Sequence, residues 1–272
     1  MKAFPNCKIN LGLRVVRKRE DGYHDLDTVF YPIYGLHDEL DVEKADTLSF
    51  EQTGITVDCI PEDNLIIKCY RLMASKYPEI GAVRIRFKKN IPFGAGLGGG
   101  SSDAAHMALA LNDLFDLGLS KEQMATEVRP LGADCPFFIY NIPCHAEGIG
   151  DILSPVDFSL SGLRLVMIKP DIAVSTREAY AGLTPSGELL PDIKHWKTYF
   201  NDFETTVFAA HPELAQIKQR LLDAGAVYAS MTGSGSTIYG LFENDAEGTT
   251  FANLRSLEEE FASMIIFNNT LR

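Results

Sequence analysis

The sequence predicts an α+β fold. Strand-like and helix-like segments are interspersed without a regular βα alternation. The segment Val83-Arg84-Ile85-Arg86-Phe87 alternates apolar and charged residues, which marks a half-exposed strand of antiparallel type. The 272-residue length suits one large domain or two modest ones. A Ser- and Pro-containing stretch at 154–162 is the candidate boundary, giving domains 1–153 and 154–272.

The elements follow in order. Residues 8–16 read as a first strand and 17–25 as a charged turn. Asp27 to Ile33 and Glu39 to Glu43 read as further strands. Asn64 to Tyr77 reads as a helix, introduced by Pro61-Glu62-Asp63 and stopped before Pro78. After the alternating strand comes a glycine-rich loop, Pro92 to Asp103. A helix from Asp103 to Phe115 is expected behind it, with Ser101, Ser102 and Asp103 offering N-cap oxygens. A short helix follows around Ser120–Arg129. In the second half, Leu163–Ile168 reads as a strand and 175–183 as a short helix. Pro212–Asp223 is an amphipathic helix closed by Gly225. Tyr239–Phe242 is a strand, Ala246–Phe261 a helix and Met264–Phe267 a last strand.

Composition bounds the function. A hydrophobic content of 46% against 23% charged residues is that of a globular chain able to bury a core. The net charge of −12 disfavours nucleic-acid or membrane binding through bulk charge. No apolar run approaches membrane-spanning length, and the N-terminus lacks a signal-peptide core. Five scattered cysteines (7, 59, 69, 135, 144) without a Cys-x-x-Cys pair read as reduced thiols in a cytoplasmic protein. The histidines show no zinc-ligand spacing, so no metal site of the protein's own is expected.

The glycine loop carries the chemistry. Glycines at 94, 96, 98, 99 and 100 cost backbone entropy and add nothing to a core. They suit a main chain that bends around a phosphate chain and points N–H groups at it, with a helix N-terminus behind. The spacing Gly94-x-Gly96-x-x-Gly99 also fits a dinucleotide loop, but the preceding strand is not buried on both faces. A Walker A loop needs Gly-Lys-Ser/Thr, which is absent from the chain. A protein-kinase glycine loop joins two strands, whereas this one opens a helix.

Further motifs line up around the loop: Lys8-x-Asn10, Asp21-Gly22-Tyr23-His24, Glu62-Asp63-Asn64-Leu65, Leu131-Gly132-Ala133-Asp134-x-Pro136 and Met231-Thr232-Gly233-Ser234-Gly235-Ser236. Together they resemble the superfamily of galactokinase, homoserine kinase, mevalonate kinase and phosphomevalonate kinase (GHMP). The resemblance runs from Lys8 to about Phe242. It implies two α+β domains with the active site in the inter-domain cleft, ATP as co-substrate and Mg²⁺. The Tyr-His pair and the Gly-Ala-Asp-x-Pro motif narrow it to members that phosphorylate a hydroxyl of a cytidine diphosphate-linked polyol. Two departures are Cys135, where Val is frequent, and Asp151, where Glu is common.

Each site residue has a reading of its own. Asp134 is either a base for the substrate hydroxyl or a helix N-cap before Pro136; the resemblance selects the base. It also sets Lys8 beside Asp134 as the second catalytic residue, although a lone lysine is ordinarily a surface charge. Asn10 shares the strand face of Lys8 and is expected to hold substrate oxygens. The ATP set implied is Asn64, Lys89, Pro92, Gly94, Gly96, Gly98, Gly99, Gly100, Ser101 and Ser102. Within it, Asn64 is alternatively a helix cap and Lys89 alternatively a solvated charge. Tyr23 and Tyr180 are expected to sandwich cytosine while His24 reads its edge. Thr176 is expected at the diphosphate. Gly233 and Ser234 belong to a turn packed on the active site, or to a plain hairpin turn. The competing functions are a homoserine- or mevalonate-type kinase and a non-catalytic nucleotide-binding protein. The first has no base for Tyr23, His24 and Tyr180 to hold; the second has no use for both Lys8 and Asp134.

Overall fold

The structure is a computed structural model that describes residues 1–56, 61–243 and 249–272. Cys59 and positions 246–248 of the expected last helix lie outside the described residues. The strands are β1 (Lys2–Ala3), β2 (Asn6–Lys18), β3 (His24–His37), β4 (Glu39–Lys44), β5 (Ser49–Gly54), β6 (Val83–Lys89), β7 (Cys144–Gly148), β8 (Ile152–Pro155), β9 (Arg164–Ile168), β10 (Tyr228–Met231), β11 (Ile238–Phe242) and β12 (Ile265–Thr270). The α-helices are α1 (Leu65–Lys76), α2 (Gly99–Leu114), α3 (Lys121–Val128), α4 (Cys135–Tyr140), α5 (Thr176–Tyr180), α6 (Phe203–Ala210), α7 (Pro212–Asp223) and α8 (Thr249–Phe261).

The chain forms two compact units. The first holds residues 1–8, 32–93 and 98–142; the second holds 9–31, 94–97 and 143–272. A single cut at 153/154 does not describe them. Strands β2 and β3 are 13 and 14 residues long, and each contributes one end to one unit and the rest to the other.

The first unit carries a mixed sheet of order β1-β4-β6-β5, with β4 antiparallel and β5 parallel to β6. Strand β6 buries every second residue, as its alternation requires: Val83, Ile85, Phe87 and Lys89 point inward. Helix α1 is capped by Asn64, whose side chain accepts the N–H of Ile66 at 2.9 Å, and it buries Ile66, Ile67, Cys69 and Met73. Ser120 caps α3 through a capping box with Gln123.

The second unit carries two sheets, of order β10-β11-β9-β12 and β2-β3-β7-β8. Val166 and Ile168 of β9 and Ile238 and Phe242 of β11 pack with Leu214, Ile217 and Leu221 of α7 and Phe203 and Val207 of α6. That cluster anchors β10 and β11, and with them the turn at 232–236.

Helix α2 departs from expectation in an informative way. It begins at Gly99, four residues before the expected start. Its N-cap is Gly98 at φ 70°, ψ 14°, with no side-chain cap. Ser101, Ser102 and Asp103 therefore lie inside the first turns and do not cap. Left-handed backbone is cheap only for glycine, so Gly98 turns the chain into the helix directly. Among the described residues no helix is long and apolar enough to cross a membrane.

Candidate active site

In the first unit the N-terminus of α2 presents its amides. The first intrahelical bond is Ser102 N to Gly98 O, at 2.9 Å. The N–H groups of Gly99, Gly100 and Ser101 thus have no intrahelical acceptor and point out along the positive end of the helix dipole. The same bond removes the Ser102 amide from the expected phosphate cradle. Its side chain is buried too, with Oγ 3.3 Å from His106 Nδ1.

Lys8 lies next to this helix start. A Cβ on Gly98 would sit 3.3 Å from Lys8 Cε and 3.0 Å from the Phe138 ring. Lys8 is 3% exposed, and its Nζ is 3.7 Å from Asp134 Oδ2. Asp134 stands at the N-cap position of α4, yet its side chain makes no capping bond. The alternative of a structural cap is therefore not the one adopted. The carboxylate faces Lys8 and keeps 29% side-chain exposure, so it is accessible to a substrate hydroxyl. Burial lowers the Lys8 pKa below the usual lysine value, and the charge of Asp134 opposes that shift. The neighbouring Cys135 thiol is pushed up to about 12 by burial, so it stays protonated and is no nucleophile.

Lys89 corrects two expectations. It is neither solvated nor free to reach a phosphate. Its Nζ is buried, 2.5 Å from Asp38 Oδ2 and 2.7 Å from Asp103 Oδ2. Strand parity explains the burial, because Lys89 shares the inner face with Val83, Ile85 and Phe87 while Lys88 faces outward. Asn64 serves as the α1 cap and also donates to Gln52 Oε1 at 3.3 Å. Pro92 is half-buried, and Phe93 beside it is exposed.

In the second unit, Gly94 and Gly96 take φ of 62° and 74°. Gly96 is closely approached: a Cβ there would lie 2.0 Å from Thr232 O. Thr232 Oγ1 donates to Gly96 O at 3.1 Å. The turn carrying Gly233 and Ser234 is a hairpin turn between β10 and β11, and it also packs on Gly96. The hairpin-turn reading of this motif is thus the one the backbone shows. Asn201 secures the turn, donating Nδ2 to Met231 O at 2.8 Å and to Gly233 O at 2.9 Å. Asn10 is 1% exposed, and its amide is bonded within the protein: Nδ2 donates to Thr28 Oγ1 at 3.0 Å, and Oδ1 lies 3.3 Å from Thr232 Oγ1. These bonds make Asn10 a strut between β2 and the turn.

The aromatic group assembles with one change of partners. His24 stacks on Tyr180, with ring centroids 4.3 Å apart and planes 16° off parallel. The imidazole thus occupies one face of Tyr180, while Tyr23 is 61% exposed. Phe203 meets Tyr180 edge-on at 4.8 Å and braces it. Burial lowers the His24 pKa, with Lys18 adding to the effect, so the ring is neutral near pH 7. Thr176 Oγ1 lies 3.4 Å from Ser234 Oγ.

Sequence reasoning missed Asp38, Asp103, Thr28, Asn201 and Thr232. The first two had a signal, since a lysine on the apolar face of a strand demands buried carboxylates. Thr232 stood inside the motif at 231–236 without a role of its own, and Thr28 and Asn201 had no signal, because their partners are remote in sequence.

Comparison with known proteins places the chain. A family profile described as the GHMP kinases N terminal domain matches residues 64–141, and one described as GHMP kinases C terminal matches 188–253. The 4-diphosphocytidyl-2-C-methyl-D-erythritol kinase of Bacteroides thetaiotaomicron is 48% identical over 261 residues, 92% of this chain and 94% of that protein. The enzyme of the same description from Parabacteroides distasonis is 48% identical over 252 residues, 89% of this chain and 92% of that one. A crystal structure of 4-(cytidine 5'-diphospho)-2C-methyl-D-erythritol kinase superposes with a TM-score of 0.83 at 32% identity, covering 99% of this chain and 98% of that one. The mevalonate kinase of Methanococcus jannaschii shares the fold alone, at TM-score 0.66 and 13% identity over 100% of this chain and 98% of that one. The chain belongs to the GHMP kinases and, within them, to the 4-diphosphocytidyl-2-C-methyl-D-erythritol kinase family.

Proposed function

We propose that this chain transfers the γ-phosphoryl group of ATP to the 2-hydroxyl of 4-diphosphocytidyl-2-C-methyl-D-erythritol, a step of the non-mevalonate isoprenoid pathway. The observation that carries the mechanism is the Lys8–Asp134 pair, 3.7 Å apart, with Asp134 left uncapped and partly exposed beside the start of α2. Phosphoryl transfer asks for positioning, charge stabilisation and removal of one proton. In this reading Asp134 orients the hydroxyl and takes its proton. Lys8 pairs with the carboxylate and supplies positive charge to the developing anion.

The amides of Gly99, Gly100 and Ser101 hold the phosphate chain; they fit it because no side chain caps that helix end. Gly94, Gly96 and Gly98 shape the approach. Mg²⁺ bound to the nucleotide supplies charge neutralisation of the transferring group. Tyr180, His24 and Tyr23 recognise cytosine, with His24 as the stacked partner that must turn aside or offer its outer face. Thr176 and Ser234 offer adjacent hydroxyls to the diphosphate.

The test compares ATP turnover with diphosphocytidyl-methylerythritol, mevalonate and homoserine side by side. Turnover of the cytidyl substrate alone is expected. Equal or greater turnover of either of the others overturns the assignment.

A further inference from the structure

Beneath the start of α2 lies a charge cluster that the proposed chemistry does not use. Lys89, Asp38 and Asp103 are 3%, 0% and 4% exposed. Two carboxylates therefore face one ammonium, and with all three ionised the cluster holds a net charge of −1 away from water. Burying an uncompensated charge is costly, and the usual relief is to neutralise a group.

The two carboxyls are not equivalent. Asp38 accepts three bonds: from Lys89 Nζ, from Asn90 N at 2.6 Å and from Ile91 N at 2.8 Å. Asp103 accepts from Lys89 through Oδ2, while its Oδ1 is buried without a hydrogen-bond partner. The proton belongs on Asp103. Burial holds its pKa well above the usual carboxylate range; Lys89 opposes that shift and the charge of Asp38 adds to it. Other ionisable groups near the cluster do not alter its charge. Cys7 of β2 is pushed up to about 12 by burial and stays neutral. Burial of His106, one turn along α2, lowers its pKa and keeps it neutral as well.

The position gives the proton a purpose. Asp103 lies in the opening turns of α2, four residues beyond Gly99. A Cβ on Gly99 would sit 3.1 Å from Lys89 Nζ, so the cluster abuts the helix start. An ionised Asp103 would set negative charge under amides that are to receive an anion. We propose that Asp103 carries a proton in the working enzyme and, as a neutral carboxylic acid, keeps the N-terminus of α2 electropositive for the phosphate chain of ATP. This rests on the phosphate-binding role of α2 proposed above.

Linkage fixes the sign. The folded state keeps a proton that the unfolded chain has released, so this group's contribution to stability falls as pH rises. Asp103→Asn imitates the protonated form and removes that slope. The experiment measures thermal unfolding without nucleotide from pH 5 to 8.5, and Mg-ATP affinity over the same range. The melting temperature of Asp103→Asn, relative to wild type, is expected to climb with pH. Its Mg-ATP affinity is expected to match that of wild type at every pH where this climb continues, because position 103 is then neutral in both proteins, and to exceed it severalfold at any pH beyond which the climb levels off. A deficit in Asp103→Asn stability that is constant or widens with pH means an ionised Asp103 and overturns the proposal. A double variant, Asp38→Asn with Asp103→Asn, strips Lys89 of its last carboxylate and is expected to melt far below the sum of the two single effects; additivity overturns the coupled cluster around Lys89. In proteins that bind Mg-ATP, an affinity gap while the slope still climbs, or no gap above the pH where it levels off, overturns the electrostatic role. If neither protein binds Mg-ATP, the reading of α2 as a phosphate site fails while the stability slope still reports the proton.

Discussion

Asp134→Asn is the sharpest test of the catalytic pair. The amide keeps the size of the carboxyl but neither accepts a proton nor offsets the Lys8 charge. At 3.7 Å, and with an effective dielectric constant of about 20, the gross attraction between the two charges is about 4.5 kcal/mol. That attraction acts on a lysine whose burial already disfavours its ammonium form. Removing Asp134 therefore deletes the base and weakens the protonation of its partner together. A positioned base alone is worth about 10²–10⁴ in rate, or about 2.7–5.4 kcal/mol of barrier, the same scale as the lost attraction. We expect kcat to fall by about 10²–10⁴-fold, with Mg-ATP affinity within a few-fold of wild type. The assay is ADP release with saturating cytidyl substrate, beside a melting curve and calorimetric ATP binding. A folded variant turning over within fivefold of wild type refutes the role. So does a loss that lies entirely in ATP affinity.

Three further expectations address other parts of the molecule. Gly100→Ala adds a Cβ that meets only Leu65, at 3.4 Å, in helical backbone; it should stabilise the fold by up to about 1 kcal/mol yet raise the KM for ATP, whereas an unchanged KM would mean that phosphate does not pass close to that amide. Tyr180→Ala removes the ring that His24 stacks on, and with it about 1–3 kcal/mol of base stacking; kcat/KM for the full substrate should drop about 5–150-fold with ATP affinity unaffected, and methylerythritol 4-phosphate should be a poor substrate for wild type. His145 is hydrogen-bonded to the buried Asp27, which raises its pKa; its stabilising contribution is complete below the unfolded histidine pKa of about 6.5 and is lost as pH rises through the folded value. The melting-temperature deficit of His145→Gln should accordingly shrink between pH 5.5 and 8.5, and a deficit independent of pH would remove Asp27 as the cause.

Local signals made much of the fold legible. The alternation at 83–87, the Asn64 and Ser120 caps and the amphipathic run Pro212–Asp223 each produced the expected element, because each is decided within a few residues. The short strands β1, β5, β7 and β8 escaped notice. They carry little internal pattern and exist through pairing with distant partners, as Ala3 pairs with Leu40 and Phe30 with Cys144. The start of α2 was misplaced for another reason. Cap statistics favour Ser and Asp, but the left-handed φ of Gly98 had already turned the chain. Site residues sort the same way. Lys8, Asp134 and the glycines are visible through motif spacing. The bonds of Asn10, Asn64, Ser102 and Lys89 are not, because a motif names positions without saying which atoms the fold already occupies.

A net charge of −12 and an anionic co-substrate look incompatible, and the resolution is local. Charges on the outer face of the first unit's sheet, such as Glu39 with Lys88 and Glu43 with Arg84, are paired on solvent-exposed side chains and are screened within about 10 Å at ordinary salt. At the start of α2 the contributions differ in kind. The helix end supplies oriented amides, and Lys8 supplies a cation with only 3% exposure, where the effective dielectric is lower and its field carries further. Asp134 offsets Lys8 within their own pair, and a further source of negative charge is the acidic cluster around Lys89, which abuts the start of the same helix. Left fully ionised, it would return a net negative charge to the place where the chain concentrates positive field. A proton on Asp103 removes that conflict without a further cation, and it leaves the lysine as a mechanical tie between β6, the β3–β4 junction and α2.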